Sequence, residues 1–189
     1  MIFTDKKTLR KEIKKNLNDY KDNFEKDSET ITEQIIKSHE YKNADTILSY
    51  MALPDEVDIN IKKLSENKTV FIPKVRETPL SLDFYKYSED SVKTGAYGIT
   101  EPDETSELFH PEKALEYGNI LVLVPGRAFT KNGKRLGRGK GFYDRFLQQL
   151  KENTPAKNLT LAGVCFPPQL LADIPTNKYD IFMDIIFLE

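Results

Sequence analysis

Cysteine and histidine are almost absent from this chain. Cys165 is the sole cysteine among 189 residues, which excludes an intramolecular disulfide framework, and its apolar neighbours point to a buried, inert thiol. The two histidines, His39 and His110, lie far apart, and without a second cysteine they argue against a zinc site. Long apolar runs are missing too. None approaches membrane-spanning length, and Met1-Ile-Phe-Thr-Asp-Lys-Lys7 is not a signal peptide, so the expectation is a cytoplasmic protein with no membrane partner. Nor is there an excess of positive charge. The net charge of −2 excludes a globally basic nucleic-acid binder, so any cationic site must be local. With 39% hydrophobic and 31% charged residues, the composition suits a soluble globular protein rather than a disordered one. No internal repeat, low-complexity segment or linker divides it, and the expectation is a single domain over residues 1–189.

What is present is concentrated in one stretch. The apolar residues 120–124 stop at Pro125, a glycine-rich basic loop comes next, and residues from Phe142 onward take on helical periodicity. Strand, glycine loop and helix in that order point backbone N–H groups and a positive helix end at an anion. From Arg127 to Arg145 there are seven Lys or Arg residues and a single acidic one, Asp144, with glycines at 133, 137, 139 and 141. Such a loop reads as a phosphate cradle with one well-placed metal carboxylate. It is not a P-loop: five residues separate Gly133 from Gly139, and Gly141 stands where the magnesium-binding hydroxyl belongs. The dinucleotide fingerprint fails as well, because Phe142 occupies its third glycine position. A plain solvated loop is the competing reading; Leu136 among the charges and Phe142-Tyr143 directly after them speak against it.

The remaining pattern alternates helices and strands. Residues 4–24 read as an amphipathic helix capped by Thr4 or Asp5, with Leu9, Ile13, Leu17 and Tyr20 inward. Lys6 and Arg10 share one face of it, and by pattern alone that face is solvated. A second helix is expected over 28–38, and a strand over 46–53 that ends at the acidic segment Pro54-Asp55-Glu56-Val57-Asp58. Ligands bind beyond the carboxyl ends of strands in open α/β sheets, so Glu56 is a candidate substrate contact, with helix capping by Asp55 or Asp58 as the alternative. Next come a short helix (60–67), strands at 69–73 and 81–87, a turn-rich loop at 95–102 and one or two helical turns at 111–117. Residues 119–124 read as a central parallel strand. A helix over 141–152, with Phe142, Phe146, Leu147 and Leu150 as its apolar stripe, precedes a strand at 159–166. A helical turn at 169–173 and a last strand at 184–188 complete the chain. This order implies a three-layer α/β/α sandwich with a mostly parallel, Rossmann-like sheet.

The run from Val124 to Leu147, Val-Pro-Gly-Arg-Ala-Phe-Thr-Lys-Asn-Gly-Lys-Arg-Leu-Gly-Arg-Gly-Lys-Gly-Phe-Tyr-Asp-Arg-Phe-Leu, closely resembles the signature of the 5-formyltetrahydrofolate cyclo-ligase (5,10-methenyltetrahydrofolate synthetase) family. Lys6-Lys-Thr-Leu-Arg10, Asp55-Glu-Val-Asp58, Phe71-Ile-Pro-Lys74, Gly98-Ile-Thr-Glu-Pro102, Asp180 and Asp184 fall in the family's order. The resemblance implies an enzyme that uses ATP and magnesium to cyclise 5-formyltetrahydrofolate, with or without a polyglutamate tail, through a phosphorylated formyl group. It implies that Lys6 and Arg10 contact ATP phosphates, against the pattern reading, and that Arg135, Gly137, Arg138, Gly139, Lys140, Gly141 and Tyr143 complete the nucleotide site. Lys140, Arg138 and Tyr143 carry the chemistry in this reading, with Lys140 stabilising the transferred group. Met51, Glu56, Phe142 and Tyr143 would meet the folate, and Asp144 and Asp184 would hold Mg2+, directly or through water. The chain departs from the family at Phe142, usually Tyr, at Thr130, often Asp, and near Ile59-Asn60, where Thr is usual. A monomer is expected. Two other classes remain open to the residues alone: an RNA-binding module built on the basic aromatic loop, and an α/β phosphosugar or coenzyme-A enzyme.

Overall fold

The computed structural model describes residues 5–78, 80–94 and 100–189. Helix α1 (Lys6–Tyr20) begins at Asp5, whose carboxylate accepts from the Lys7 and Thr8 backbone N–H groups at 2.7 and 2.9 Å. The alternative cap, Thr4, lies outside the described residues. A 3-10 turn leads into α2 (Phe24–Lys37), which starts earlier than the expected residue 28. Tertiary contacts explain the extra turn. Tyr20 Oη donates to Asp27 at 2.6 Å, and the Phe24 ring stacks on Phe166 at a centroid distance of 4.2 Å. Helix α3 (His39–Asn43), capped by Ser38, then feeds strand β1 (Thr46–Leu48).

The strand expected over 46–53 is thus confined to three residues, because the chain leaves the sheet there and Tyr50 Oη instead bonds the Val57 carbonyl at 2.7 Å. Asn60, not Asp55 or Asp58, caps α4 (Ile61–Ser65), accepting from Lys63 N at 3.0 Å. Strands β2 (Thr69–Glu77) and β3 (Leu80–Lys86) form an antiparallel hairpin, and β4 (Val92–Thr94) pairs with β5 (Thr100–Pro102). Of the turn-rich loop expected over 95–102, residues 95–99, including Gly98, lie outside the described residues. A 3-10 stretch at Pro111–Tyr117 precedes β6 (Ile120–Pro125), β7 (Ala128–Thr130), β8 (Arg135–Leu136), α5 (Phe142–Asn153) and β9 (Leu159–Val164). The helical turn expected at 169–173 comes earlier, as a 3-10 turn at Pro167–Gln169; β10 (Leu170–Leu171), held parallel to β7, follows it, and the last strand is β11 (Ile185–Phe187).

Six strands form the main sheet in the order β11-β9-β6-β1-β2-β3, all parallel except β3. Alternation along the strands divides their side chains between two cores. Ile47, Leu121, Leu123, Ala162 and Val164 pack against Leu9, Ile13, Leu17, Ile31 and Ile35 of α1 and α2. Leu48, Val122, Val124 and Leu161 pack against Phe146, Leu147 and Leu150 of α5. Period-two side-chain direction on a strand buried on both faces produces this split, and it makes the fold three-layered. Each fully buried Leu or Phe contributes about 1.5–3 kcal/mol of burial free energy. No helix among the described residues is long and apolar enough to cross a membrane.

The strand order places β1, first in the chain, beside β6, the fourth strand of the main sheet, with later strands on one side and β2 and β3 on the other. Chain direction across the sheet reverses between β1 and β6, and a crevice opens at their carboxyl ends. The acidic segment 54–58 leaves β1 there, and the basic loop leaves β6.

Candidate active site

Residues 126–141 are a built structure. Strands β7 and β8 pair antiparallel, and the turn between them is fastened by Thr130, which is 1% exposed. Its hydroxyl donates to Asn132 and accepts from Lys134 N at 3.0 Å, while its carbonyl accepts from Gly133 N at 3.0 Å. Gly133 has φ +85°, and its carbonyl accepts from Met183 N at 2.8 Å, so the hairpin is pinned to the segment before β11.

Arg135 is 5% exposed and lies under the glycine run, where it lines a cleft together with Glu56, Arg138 and Tyr143. Its guanidinium donates to Asp144 Oδ1 at 2.7 Å and to the Pro125 carbonyl at 3.2 Å, and it lies 5.7 Å from the Tyr143 ring centroid. Its Nε has no partner, and the buried Tyr143 hydroxyl has none either. Two orphan donors in one wall are costly unless a ligand engages them. Burial first, and then the Glu56 carboxylate, raise the Tyr143 hydroxyl's pKa far above its usual range, so it stays protonated and able to donate.

Arg138 crosses the crevice. Its Nε donates to Glu56 Oε1 at 2.8 Å, and its guanidinium also reaches Asp55. Asp55 is held from the other side by Arg127. Burial raises the Asp55 pKa, but the hydrogen bonds from Arg138 and Arg127 outweigh that effect and leave it below the usual carboxylate range. Glu56 is 8% exposed, and its second oxygen accepts from Leu53 N at 3.1 Å. Of the alternatives for the acidic segment, then, neither Asp55 nor Asp58 caps the helix. Asp55 anchors two arginines of the loop, a role its sequence context does not reveal.

The face of α1 that reads as solvated is engaged. Arg10 Nε donates to the Gly137 carbonyl at 2.7 Å, and Lys6 Nζ pairs with Asp180 at 2.6 Å. Lys140 is exposed, forms no ion pair among the described residues, and lies 5.9 Å from the Phe142 ring centroid.

Two clefts meet at this loop. One, a cavity of about 390 Å³, is bordered by Met51, Glu56, Lys74, Arg138, Lys140, Phe142 and Tyr143. The other runs past Lys6, Arg10, Gly139, Arg145 and the turn 177–180. Gly137, Gly141 and Asp144 border both. The loop is a thin partition with backbone on each side.

Asp184 is elsewhere. It borders a third cleft with His39, Asn119 and Asn158, at the amino ends of the strands, and its carboxylate accepts from Leu161 N at 2.7 Å. The expected pairing of Asp144 with Asp184 around one ion is therefore not brought together. In a parallel sheet a residue before one strand and a loop after another lie at opposite ends. No group of three or more His, Cys, Asp or Glu side chains poised for a metal occurs among the described residues.

Known proteins resemble this chain along nearly its full length. The 5-formyltetrahydrofolate cyclo-ligase of Saccharomyces cerevisiae is 32% identical, the alignment covering 96% of this chain and 93% of the yeast protein. The mouse 5-formyltetrahydrofolate cyclo-ligase is 29% identical over 84% of this chain and 80% of its own. The solution structure of 5,10-methenyltetrahydrofolate synthetase from Aquifex aeolicus superposes with a TM-score of 0.79 at 29% identity, covering 97% of this chain and 89% of that one. The sequence model of the 5-formyltetrahydrofolate cyclo-ligase family matches residues 2–189, and the chain, an α/β enzyme with its basic loop across the sheet's crevice, belongs to that family.

Proposed function

We propose that the chain catalyses ATP-dependent cyclisation of 5-formyltetrahydrofolate to 5,10-methenyltetrahydrofolate, with release of ADP and phosphate. The single observation that carries the reading is the shared partition: Gly137, Gly141 and Asp144 border both clefts, so a phosphoryl group held on one side faces a substrate held on the other. ATP takes the cleft of Lys6 and Arg10, and the folate takes the cleft of Met51, Glu56 and Phe142.

The chemistry needs alignment and charge neutralisation more than covalent help from the protein. The formyl oxygen attacks the γ-phosphorus, the β–γ bridging bond breaks, and ADP departs. The neighbouring amine nitrogen then attacks the activated formyl carbon, loses its proton, and phosphate leaves with the former formyl oxygen. Lys140 and Arg138 stabilise charge on the transferred group, and the glycine backbone N–H groups surround it. The protonated Tyr143 hydroxyl and the Glu56 carboxylate give the folate one donor and one acceptor. Phe142 retains a ring to stack on the pterin but lacks the hydroxyl usual there in relatives. Magnesium, when bound, supplies charge neutralisation between the phosphates. Asp144, half-buried at the partition, is the residue that would hold the ion, and a single carboxylate suits a hard cation that retains much of its hydration shell.

The same reading makes the protein a cytoplasmic monomer acting on folates with or without a polyglutamate tail. An RNA-binding role gains no support from the loop, whose Arg127, Arg135 and Arg138 are paired with acids of the same chain. The test is to mix the protein with ATP, magnesium and 5-formyltetrahydrofolate and monitor the ultraviolet absorbance of the methenyl product. Product that appears only when ATP is present supports the reading, and none under any nucleotide overturns it.

A further inference from the structure

We propose that Tyr179 is the platform on which the base of the nucleotide stacks, an inference that rests on the ATP reading of the cleft beside α1. Tyr179 is 70% exposed, yet it borders the same cleft as Lys6, Arg10 and Gly139. A large aromatic ring standing open in a polar cleft gains nothing from solvent and offers a flat apolar face to a ligand.

Its position is fixed by the turn that carries it. Tyr179 N donates to Asn177 Oδ1 at 2.9 Å, Asn177 N donates to Asp180 Oδ2 at 2.6 Å, and Asp180 N donates back to the Asn177 carbonyl at 3.2 Å. Asp180 is in turn the partner of Lys6. The Lys178 ammonium lies 4.9 Å from the Tyr179 ring centroid, so a cation already attends the ring.

The layout along α1 gives the ligand a direction. Arg10 touches the Gly137 carbonyl, and Lys6, one turn earlier, touches Asp180 of the Tyr179 turn. Four residues of helix advance about 6 Å. The cations thus form a short row with the glycine backbone at one end and the aromatic ring at the other. Phosphates belong with the backbone N–H groups, which leaves the base for the ring. Stacking tolerates any base, so the platform supplies affinity with little choice among nucleotides.

The chain contains no tryptophan, so Tyr179→Trp introduces a unique indole. ATP is expected to quench its emission, and inorganic tripolyphosphate is not. Tyr179→Ala is expected to weaken ATP about ten-fold by calorimetry, the scale of one base–aromatic stack, with tripolyphosphate affinity unchanged. The exposed position keeps the fold out of the comparison, and thermal unfolding checks this. Arg10→Ala is the companion variant and should weaken both ligands. If Arg10→Ala weakens both and Tyr179→Ala weakens neither, or both equally, the base platform is overturned while the ATP reading stands. If Arg10→Ala changes neither, the ATP reading of this cleft falls and takes the platform with it.

Discussion

Arg138 Nε lies 2.8 Å from Glu56 Oε1, joining the loop after β6 to the segment after β1 across the mouth of the sheet's crevice. In the proposed function the two residues serve different substrates, so each is held by the other until a ligand competes. Nucleotide phosphates that draw Arg138 away free the Glu56 carboxylate for the folate. The two binding events are then coupled, and reciprocally so. A non-hydrolysable ATP analogue should tighten 5-formyltetrahydrofolate binding about five-fold or more in the wild type, and Arg138→Ala should abolish the difference. Calorimetry with and without the analogue measures it; equal folate affinities in the wild type would remove the coupling.

Lys140 is an exposed cation of the partition loop and carries no internal ion pair among the described residues. Lys140→Ala should lower kcat by roughly two to four orders of magnitude, as loss of a preorganised oxyanion donor does. Its thermal unfolding should match the wild type, because an exposed side chain without a partner contributes little to stability. Wild-type turnover in this variant would take Lys140 out of the mechanism.

Asp55 links stability to acid. Arg138 and Arg127 overcome the effect of burial and hold its folded pKa below the ordinary value of 3.8. A depressed carboxylate stabilises the fold above its unfolded pKa, and that contribution disappears as pH falls through the folded value. Asp55→Asn should therefore be less stable than the wild type near neutrality, with the gap narrowing below pH of about 4. Urea midpoints across that range decide it. A gap that stays constant down to pH of about 3 would show that the ionised Asp55 carboxylate is not the source.

Gly133→Ala should be costly far from the chemistry. At φ +85° a Cβ is strained, and it would collide with the Met183 carbonyl, whose own N–H donates to Gly133 O. The expected loss is about 1–3 kcal/mol or more in unfolding free energy, with kcat near wild type in the fraction that folds. An unchanged denaturation midpoint would contradict the close approach of hairpin and C-terminal segment.

Much of this architecture is legible without coordinates, because its signals are local. Five apolar residues ending at Pro125 announce a strand buried on both faces. Glycines among cations, then Phe142 and helical spacing, announce an anion loop opening a helix. Both arise from backbone sterics and side-chain periodicity within about twenty residues. The short β1 and the early start of α2 carry no such local signal, since Tyr50 and Phe24 are placed by tertiary partners outside their own elements.

The layers, the central strand, the basic loop and the family are thus written in the chain's local patterns. Which residues face each other is a property of the folded molecule: Arg138 meets Glu56 across 82 positions, Arg10 meets Gly137 across 127, and Lys6 meets Asp180 across 174. Folding also separates Asp144 from Asp184. The reason is directional. In a parallel sheet, segments leaving the strands gather at one end and segments entering them gather at the other, and no local pattern records which end a distant residue will reach.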